Sequence, residues 1–501
     1  MSVRRLRHVT HVLAELFSDE VTRAARSRGE SADLELRERR RAQNVRVALE
    51  RLGPFYVKLG QMLSTRPDIV PPSMIGELEK LHDHVSPAPF STFEPVLEAE
   101  LGPGWKEQFQ HVDIFEPLGT ASLAQVYAVT MRDGRQGVVK VQRPGIRSQV
   151  LDDMRMMRRA ARLVGRCAPR LNAVVDLDAM LGVLFDAMRP ELDFTIEAGN
   201  MDAAREAIAD FRTLSVPEVL QATPRVLIQA LAPGQSIRQA RRDEFTERER
   251  MAIGEDLLAF TYRGFFINRM FHADPHPGNI FVQPGGQASL IDWGMVGRLD
   301  RRTSMRIMLV LLNLAENDGH GLAKAWVDLG YATPWANVDA FAADMAALTP
   351  TIAAASLEEL NFGVTLTAVL QQSTKRGIKT NPMISVLGKA FGNIEGSVRC
   401  LAPELSITSV FEKQMAGIMI DLAGEFFSTT HVAKTTMEMM LGADTALEQA
   451  RAIARDLSNR EFRVNVTEGG NRSRERSPLL SRAMLAAGAA ALWRYHQNRR
   501  E

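Results

Sequence analysis

Between Phe271 and Gly294 the chain reads FHADPHPGNIFVQPGGQASLIDWG, and Asp274, Asn279 and Asp292 are the side-chain types, in the order, that phosphoryl transfer requires. Asn279 precedes a short apolar run, Ile280 to Val282. The turn residues Pro284, Gly285 and Gly286 follow, and a second run ends at Ile291. That pattern predicts a β-hairpin. Antiparallel strands return the residue before the first and the residue after the second to the same end, so Asn279 and Asp292 can share one cation. Oxygen ligands suit magnesium, with a nucleotide's phosphates and water completing the octahedron. Asp274 lies upstream in a loop stiffened by Pro275 and Pro277, which can aim a carboxylate. His272 and His276 flank that carboxylate, but no Cys lies near and the loop offers no helical i, i+4 face, so zinc is set aside.

The spacing D-x-x-x-x-N followed by D-x-G resembles the protein-kinase catalytic loop and metal-binding triplet, with Trp293 where kinases usually have Phe. That resemblance implies that Asp274 orients or deprotonates the attacking hydroxyl or water, while Asn279 and Asp292 bind the metal. The elements that must position this trio lie upstream. DIFEPLGTASLAQVYAVTMRDGRQGVVKVQ reads as strand, small-residue loop, strand, Asp133-Gly134 turn and third strand. The loop Gly119, Thr120, Ala121, Ser122, Leu123, Ala124 stands where a kinase has its glycine-rich phosphate cover. Methyl groups restrict positive φ and keep backbone amides further from the phosphates. On the third strand Lys140 sits among valines, and a charge there needs an anionic partner, for which nucleotide phosphates are the natural choice.

In PELDFTIEAGN, Pro190 suits a first helical turn, and one acid is expected to pair with Lys140, Glu197 ahead of Glu191. RVLIQALAPGQS ends a strand at Pro233 and Gly234, a hinge where adenine would lie against the backbone of Gln229 to Leu231. Near the N-terminus, RLGPFYVKLGQMLSTRP reads as a helix between Gly53-Pro54 and Pro67, with Lys58 and Gln61 projecting from one face.

Composition bounds the rest. The chain has 501 residues, 45% hydrophobic and 24% charged, with a net charge of +1. Such a length needs more than one core, and no overall field draws the protein to nucleic acid. Two distant cysteines, Cys167 and Cys400, make no disulfide framework and point to a reducing cytoplasm. The start, MSVRRLRHVTHVLAELFSDE, lacks the apolar core of a secretory signal, and no window offers the roughly twenty apolar residues that span a bilayer. Ala483 to Trp493 is the best apolar stretch. Flanked by Arg482 and Arg494, it suits shallow membrane contact as well as packing on its own domain.

KLGQ with its downstream LHDHVSP, TASLAQVY, VVKVQRPG, ELDFTIEAGN, FHADPHPGN and LIDWG occur in the order found in the UbiB/AarF family of atypical kinases, which this chain resembles over roughly residues 50 to 300. The resemblance implies an α+β, protein-kinase-like two-lobe fold: a small β-rich lobe, a large helical lobe, a helical N-terminal extension and a C-terminal helical tail. It also implies that the helix bearing Lys58 and Gln61 covers the site, that ATP or ADP binds with Mg2+, and that ATPase activity prevails over ordinary protein-kinase activity. Support of isoprenoid-quinone biosynthesis or lipid handling at membranes is implied too. Gly119 and Thr120 replace alanines common in the family's loop, and Gln229 stands at a hinge position that is often acidic.

The expected domains are a charged N-terminal helical segment (1–45), the helical extension (46–110), the small lobe (111–233), the large lobe with the catalytic loop (234–458), a linker (459–478) and an amphipathic helix (479–501). The expected partners are a nucleotide, a lipid or quinone-precursor substrate, a membrane surface met by 479–501 and a second copy of the chain in a homodimer. The expected location is cytoplasmic, peripheral on the inner face of the membrane. Two competing readings are a nucleotide-binding scaffold with negligible turnover and a small-molecule phosphotransferase of the aminoglycoside or choline type. KLGQ and the alanine loop argue against the second.

Overall fold

A computed structural model describes residue 5 and residues 7–12, 14–15, 34–64, 70–81, 87–167, 177–354, 362–381 and 383–426. One compact unit runs from Met1 to Ala423, and a second begins at Gly424. The expected linker 459–478, the helix 479–501 and most of LHDHVSP fall outside the described residues.

The extension opens with α1 (Leu34–Leu52), which crosses the boundary expected at residue 45. Gly53 turns the chain at φ 97° into α2 (Pro54–Ser64), and α3 (Pro72–Leu78) and α4 (Glu94–Leu101) follow. The KLGQ glycine has a packing reason: a Cβ on Gly60 would collide with Leu81 and Leu49.

The small lobe is one antiparallel sheet. Its strands are β1 (Phe109–Val112), β2 (Gly119–Thr120), β3 (Ala124–Met131), β4 (Gln136–Gln142), and, after three more helices and the two-residue β5 (Leu214–Ser215), β6 (Val219–Ala222) and β7 (Val226–Ala230). Strand order is β1-β3-β4-β7-β6, with β2 beside β3. The period of two on β4 decides the site. Val139 and Val141 point into a core with Phe93, Trp105, Tyr127 and Ile228, so Lys140 between them points to the opposite face.

The helices that follow β4 are α5 (Ile146–Cys167), α6 (Leu177–Leu192) and α7 (Phe194–Ala207); on the Lys140 face, α7 brings Phe194 against Lys140 and the Glu191 carbonyl of α6 accepts from Gln142. Pro190 sits in the last turn of α6 rather than in a first turn. The new helix starts only after Asp193, whose carboxylate accepts from the Thr195 N–H as the N-cap. Phe55, Tyr56 and Leu59 of α2 pack with Val150, Leu184 and Met188, which fixes the extension onto α5 and α6.

At the hinge, Gly234 has φ 83°, and a Cβ there would strike the Val282 carbonyl, so only glycine fits. β8 (Gln235–Ser236) then pairs with the predicted hairpin. The large lobe begins with α8 (Glu247–Phe266), started by a reciprocal Thr246/Glu249 capping box. Then come β9 (Met270–His272), β10 (Ile280–Gln283), β11 (Gln287–Leu290) and β12 (Val296–Arg298). β10 and β11 pair antiparallel from Ile280↔Leu290 to Gln283↔Gln287, the hairpin read from the sequence. Helices α9 (Arg301–Ala315), α10 (Gly319–Leu329), α11 (Val338–Ala354), α12 (Phe362–Lys375), α13 (Met383–Leu401) and α14 (Ile407–Phe426) complete the lobe. No helix among the described residues is long and apolar enough to cross a membrane.

Candidate active site

The Lys140 ammonium meets both Glu197 oxygens at 2.9 Å, reaches Asp292 Oδ1 at 3.4 Å, and lies over the Phe194 ring at 5.2 Å. Glu197, the first-choice partner, is buried in the opening turn of α7. Glu191, the second choice, takes a different cation: its carboxylate pairs with Lys58 at 3.2 Å. Burial alone would lower Lys140, but Glu197 first, then Asp292 and Glu191, hold it above its ordinary value. Burial pushes the Glu197 carboxyl up to about 7 against the pull of Lys140. Lys140 holds Asp292 well below the usual carboxylate range, with burial opposing and Lys58 adding to the effect.

The hairpin delivers Asn279 and Asp292 to one end, where the Ile291 N–H donates to the Asn279 carbonyl at 2.9 Å. Asn279 is buried, and its Nδ2 donates to the Asp274 carbonyl at 3.2 Å, so Oδ1 is the atom with which it could hold a cation. Asp292 has φ 59°, a left-handed conformation uncommon outside glycine and tolerated by aspartate. Its side chain keeps about half its surface open (48% exposed), the face that a cation and phosphates would meet. One carboxylate and one carboxamide, with the remaining positions left to phosphate and water, suit magnesium. Trp293 fills the apolar floor behind Asp292: it is fully buried, its indole N–H donates to the Leu290 carbonyl at 3.1 Å, and its ring stands 4.8 Å from that of His272.

His272 orders the catalytic loop. Its Nδ1 accepts the Asp274 N–H at 3.1 Å and its Nε2 lies 3.1 Å from the Ile291 carbonyl. One nitrogen accepts and the other donates, so the ring is neutral, consistent with burial lowering its pKa. His276 braces the same loop by accepting the Gly278 N–H at 2.9 Å.

Two contacts to Asp274 escaped the sequence reading. Lys389 Nζ lies 3.1 Å and Asn393 Nδ2 2.7 Å from Asp274 Oδ1, both from α13. Ser397, a turn further on, donates to the Pro275 carbonyl at 2.9 Å. The signal was a polar stripe at i, i+4 and i+8 on a largely buried helix that also carries Ser385, Glu395 and Arg399, with no motif beside it. Burial raises the Asp274 carboxyl, but Lys389, then His276 and Lys58, outweigh it and hold the group below its ordinary value.

Lys58, Gln61, Asp274 and Lys389 line a cavity of about 40 Å³ walled by Met62 and Met188. Gln61 Nε2 also donates to the Leu81 carbonyl at 3.1 Å, tying the covering helix down. In the small-residue loop, Gly119 and Thr120 pair with Val126 and Gln125, the Ala121 N–H donates to the Ala124 carbonyl, and Ser122 is buried. Leu123 and Ala124 do not face the cleft. Leu123 is buried in the extension's core and Ala124 in the main core, because a two-residue strand hooks the loop back on itself. Gln229 belongs to the sheet, paired with Val138 and Val219, and the Leu231 N–H donates to the Gln136 carbonyl.

A small antiparallel sheet above a helical lobe, with a lysine–glutamate pair facing an aspartate–asparagine–aspartate trio, defines a kinase-like protein. Residues 80–326 match the family model of the ABC1 atypical kinase-like domain. A probable protein kinase UbiB from Cellvibrio japonicus is 32% identical over 376 residues, covering 73% of this chain and 67% of that protein. Another, from Azotobacter vinelandii, is 31% identical with 85% and 80% covered. Among solved structures, the complex of Rv3197 with erythromycin from Mycobacterium tuberculosis is 24% identical, covers 76% of this chain and 97% of that one, and has a TM-score of 0.47. The chain belongs to the ABC1/UbiB family of atypical kinases.

Proposed function

We propose that the cleft carries out magnesium-dependent phosphoryl transfer from ATP, by hydrolysis or to a small molecule, in support of isoprenoid-quinone biosynthesis or lipid handling at a membrane. The observation that carries this reading is Lys140, bidentate to Glu197 and 3.4 Å from Asp292, on the same cleft as the Asp274–Asn279 loop. Lys140 would bind the α and β phosphates while Glu197 keeps it aimed, and Asn279 Oδ1 and the Asp292 carboxylate would hold magnesium. Bound there, the metal would supply positive charge against the nucleotide's phosphates. Asp274, kept ionised by Lys389, orients the attacking hydroxyl or water.

The Lys58–Glu191 pair closes the acceptor side, and the cavity of about 40 Å³ has room for a few water molecules, each needing on the order of 10–15 Å³. Water fits beneath the cover as it stands, which supports hydrolysis in this state. A bulkier acceptor requires α2 to move. The test is phosphate release from ATP by the full chain, with and without anionic liposomes. Magnesium-dependent release that rises with liposomes supports the reading. Nucleotide binding with no release under either condition supports the scaffold instead.

A further inference from the structure

We infer that α13 supplies two positioning residues for the reaction, Lys389 and Asn393, and that Lys389 places its positive charge on the path of the transferring phosphoryl group. The inference rests on the phosphoryl-transfer reading and adds residues that lie more than a hundred positions from the catalytic loop.

The geometry points to a clamp with a direction. Lys389, Asn393 and Ser397 stand on one stripe of α13 and all reach the loop that follows β9. The opposite faces of α13 bury Leu387, Phe391, Ile394 and Val398, so the helix is a rigid mount. Ser397 fixes the loop backbone at Pro275. Asn393 and Lys389 both meet Oδ1 of Asp274, which directs Oδ2 to an attacking hydroxyl or water. A neutral amide at 2.7 Å is enough to orient a carboxylate, so the ammonium beside it has a second task.

Lys389 lines the same cavity as Asp274 and Lys58, half-buried, with its charge in the small space where an acceptor oxygen must sit. Lys58 comes from the covering helix and departs with it if the cover opens. Lys389 is mounted on the large-lobe core and stays.

In the step itself the acceptor oxygen bonds to the γ phosphorus as the bond from that phosphorus to the β,γ-bridging oxygen breaks. ADP leaves with the electron pair. The acceptor proton passes to Asp274 Oδ2 and from there to solvent. Charge developing on the equatorial phosphoryl oxygens is met on the acceptor side by Lys389, fixed in place before the reaction begins, while Asn279 and Asp292 would hold a magnesium ion that supplies further positive charge.

The experiment compares full-chain wild type, Lys389→Met, Lys389→Arg and Asn393→Ala, with circular dichroism and thermal unfolding as controls of folding. In ATP hydrolysis, Lys389→Met is expected to lower kcat about 100-fold with the KM for ATP within about threefold of wild type, since removal of one preorganised donor typically costs that much. Asn393→Ala is expected to lose about tenfold, and Lys389→Arg to recover part of the rate. A second readout needs no turnover: thermal stabilisation by ADP with magnesium alone and with fluoroaluminate added. Wild type is expected to gain a further shift with fluoroaluminate, and Lys389→Met to show the ADP shift alone. Wild-type kcat together with a wild-type fluoroaluminate shift in Lys389→Met overturns the clamp, as does a variant in which only KM moves. If wild type neither releases phosphate nor responds to fluoroaluminate, the phosphoryl-transfer reading and the clamp fall together. If it responds without turning over, the fluoroaluminate comparison alone decides.

Discussion

The two ends of the cleft are built on opposite plans. At the end proposed for the nucleotide, Lys140, Glu197, Asn279 and Asp292 converge from the sheet, one helix and one hairpin, and Lys140 is bidentate to a buried glutamate. At the acceptor end, Asp274 is surrounded by lysines from two separate helices, α2 and α13, and only α13 is rooted in the large-lobe core. On the proposed reading the first end takes ATP, which is the same for every enzyme that uses it, so its binding groups can be rigid and generic. The acceptor is what would differ, and that end is closed by a helix seated on the apolar core of the extension, whose polar contacts include the Lys58–Glu191 ion pair and the Gln61 hydrogen bond to Leu81.

The contrast breaks most visibly at Lys140. Lys140→Met strips a buried carboxylate of its cation and is expected to cost about 3–5 kcal/mol at pH 8, and less at pH 6. In wild type, Glu197 titrates near 7 when folded against an ordinary 4.5, so the folded state holds a proton that the unfolded state has released. That group's contribution to stability therefore falls as pH rises from about 4.5 to about 7. Without Lys140 the folded pKa rises further and the loss extends to higher pH. Denaturant unfolding at the two pH values checks this, and equal losses would mean that the pair is not the ionic anchor described.

Asp292→Asn comes next. It is expected to remove the magnesium-dependent part of nucleotide affinity, on the order of 100-fold, while the fold persists. Calorimetry with and without magnesium reads it, and retained magnesium dependence would sink the metal assignment.

The acceptor end should respond more mildly in stability and more in selectivity. Gly60→Ala inserts a methyl against Leu81 and Leu49 and is expected to destabilise by about 1–3 kcal/mol while prising up α2. An unchanged melting temperature would show that the helix has slack. Lys58→Ala removes a partly exposed pair and is expected to cost less than about 1 kcal/mol. Its effect should appear in which nucleotides and acceptors are used, and a range identical to wild type would deny α2 its covering role.

The same division explains what could be read in the chain before its structure. Asn279 and Asp292 were legible because a hairpin is a local object: turn residues and two apolar runs determine which residues meet. Lys140 with Glu197 was legible because a lysine in a buried strand demands an anion, and PELDFTIEAGN gathers several acids at helical spacing. Local chemistry misled at Pro190, which suits a helix start but lies in the last turn of α6 because the Asp193 cap begins the next helix. It also misled at Leu123 and Ala124, where a loop of small residues concealed two positions facing the core. Lys389 and Asn393 were out of reach, since only tertiary packing brings α13 beneath the catalytic loop. Glu191 shows the same limit: its charge was seen, but its choice of Lys58 over Lys140 depends on how α2 docks on α6.

The account stands most directly on Asp274, where the two ends meet. Phosphate release from ATP with magnesium should be measured for the full chain beside Asp274→Asn, a substitution that keeps shape and hydrogen bonding while removing the charge. The account predicts release by wild type and a loss of about 100-fold or more in the variant, with nucleotide affinity nearly unchanged. Equal rates in the two proteins would contradict it.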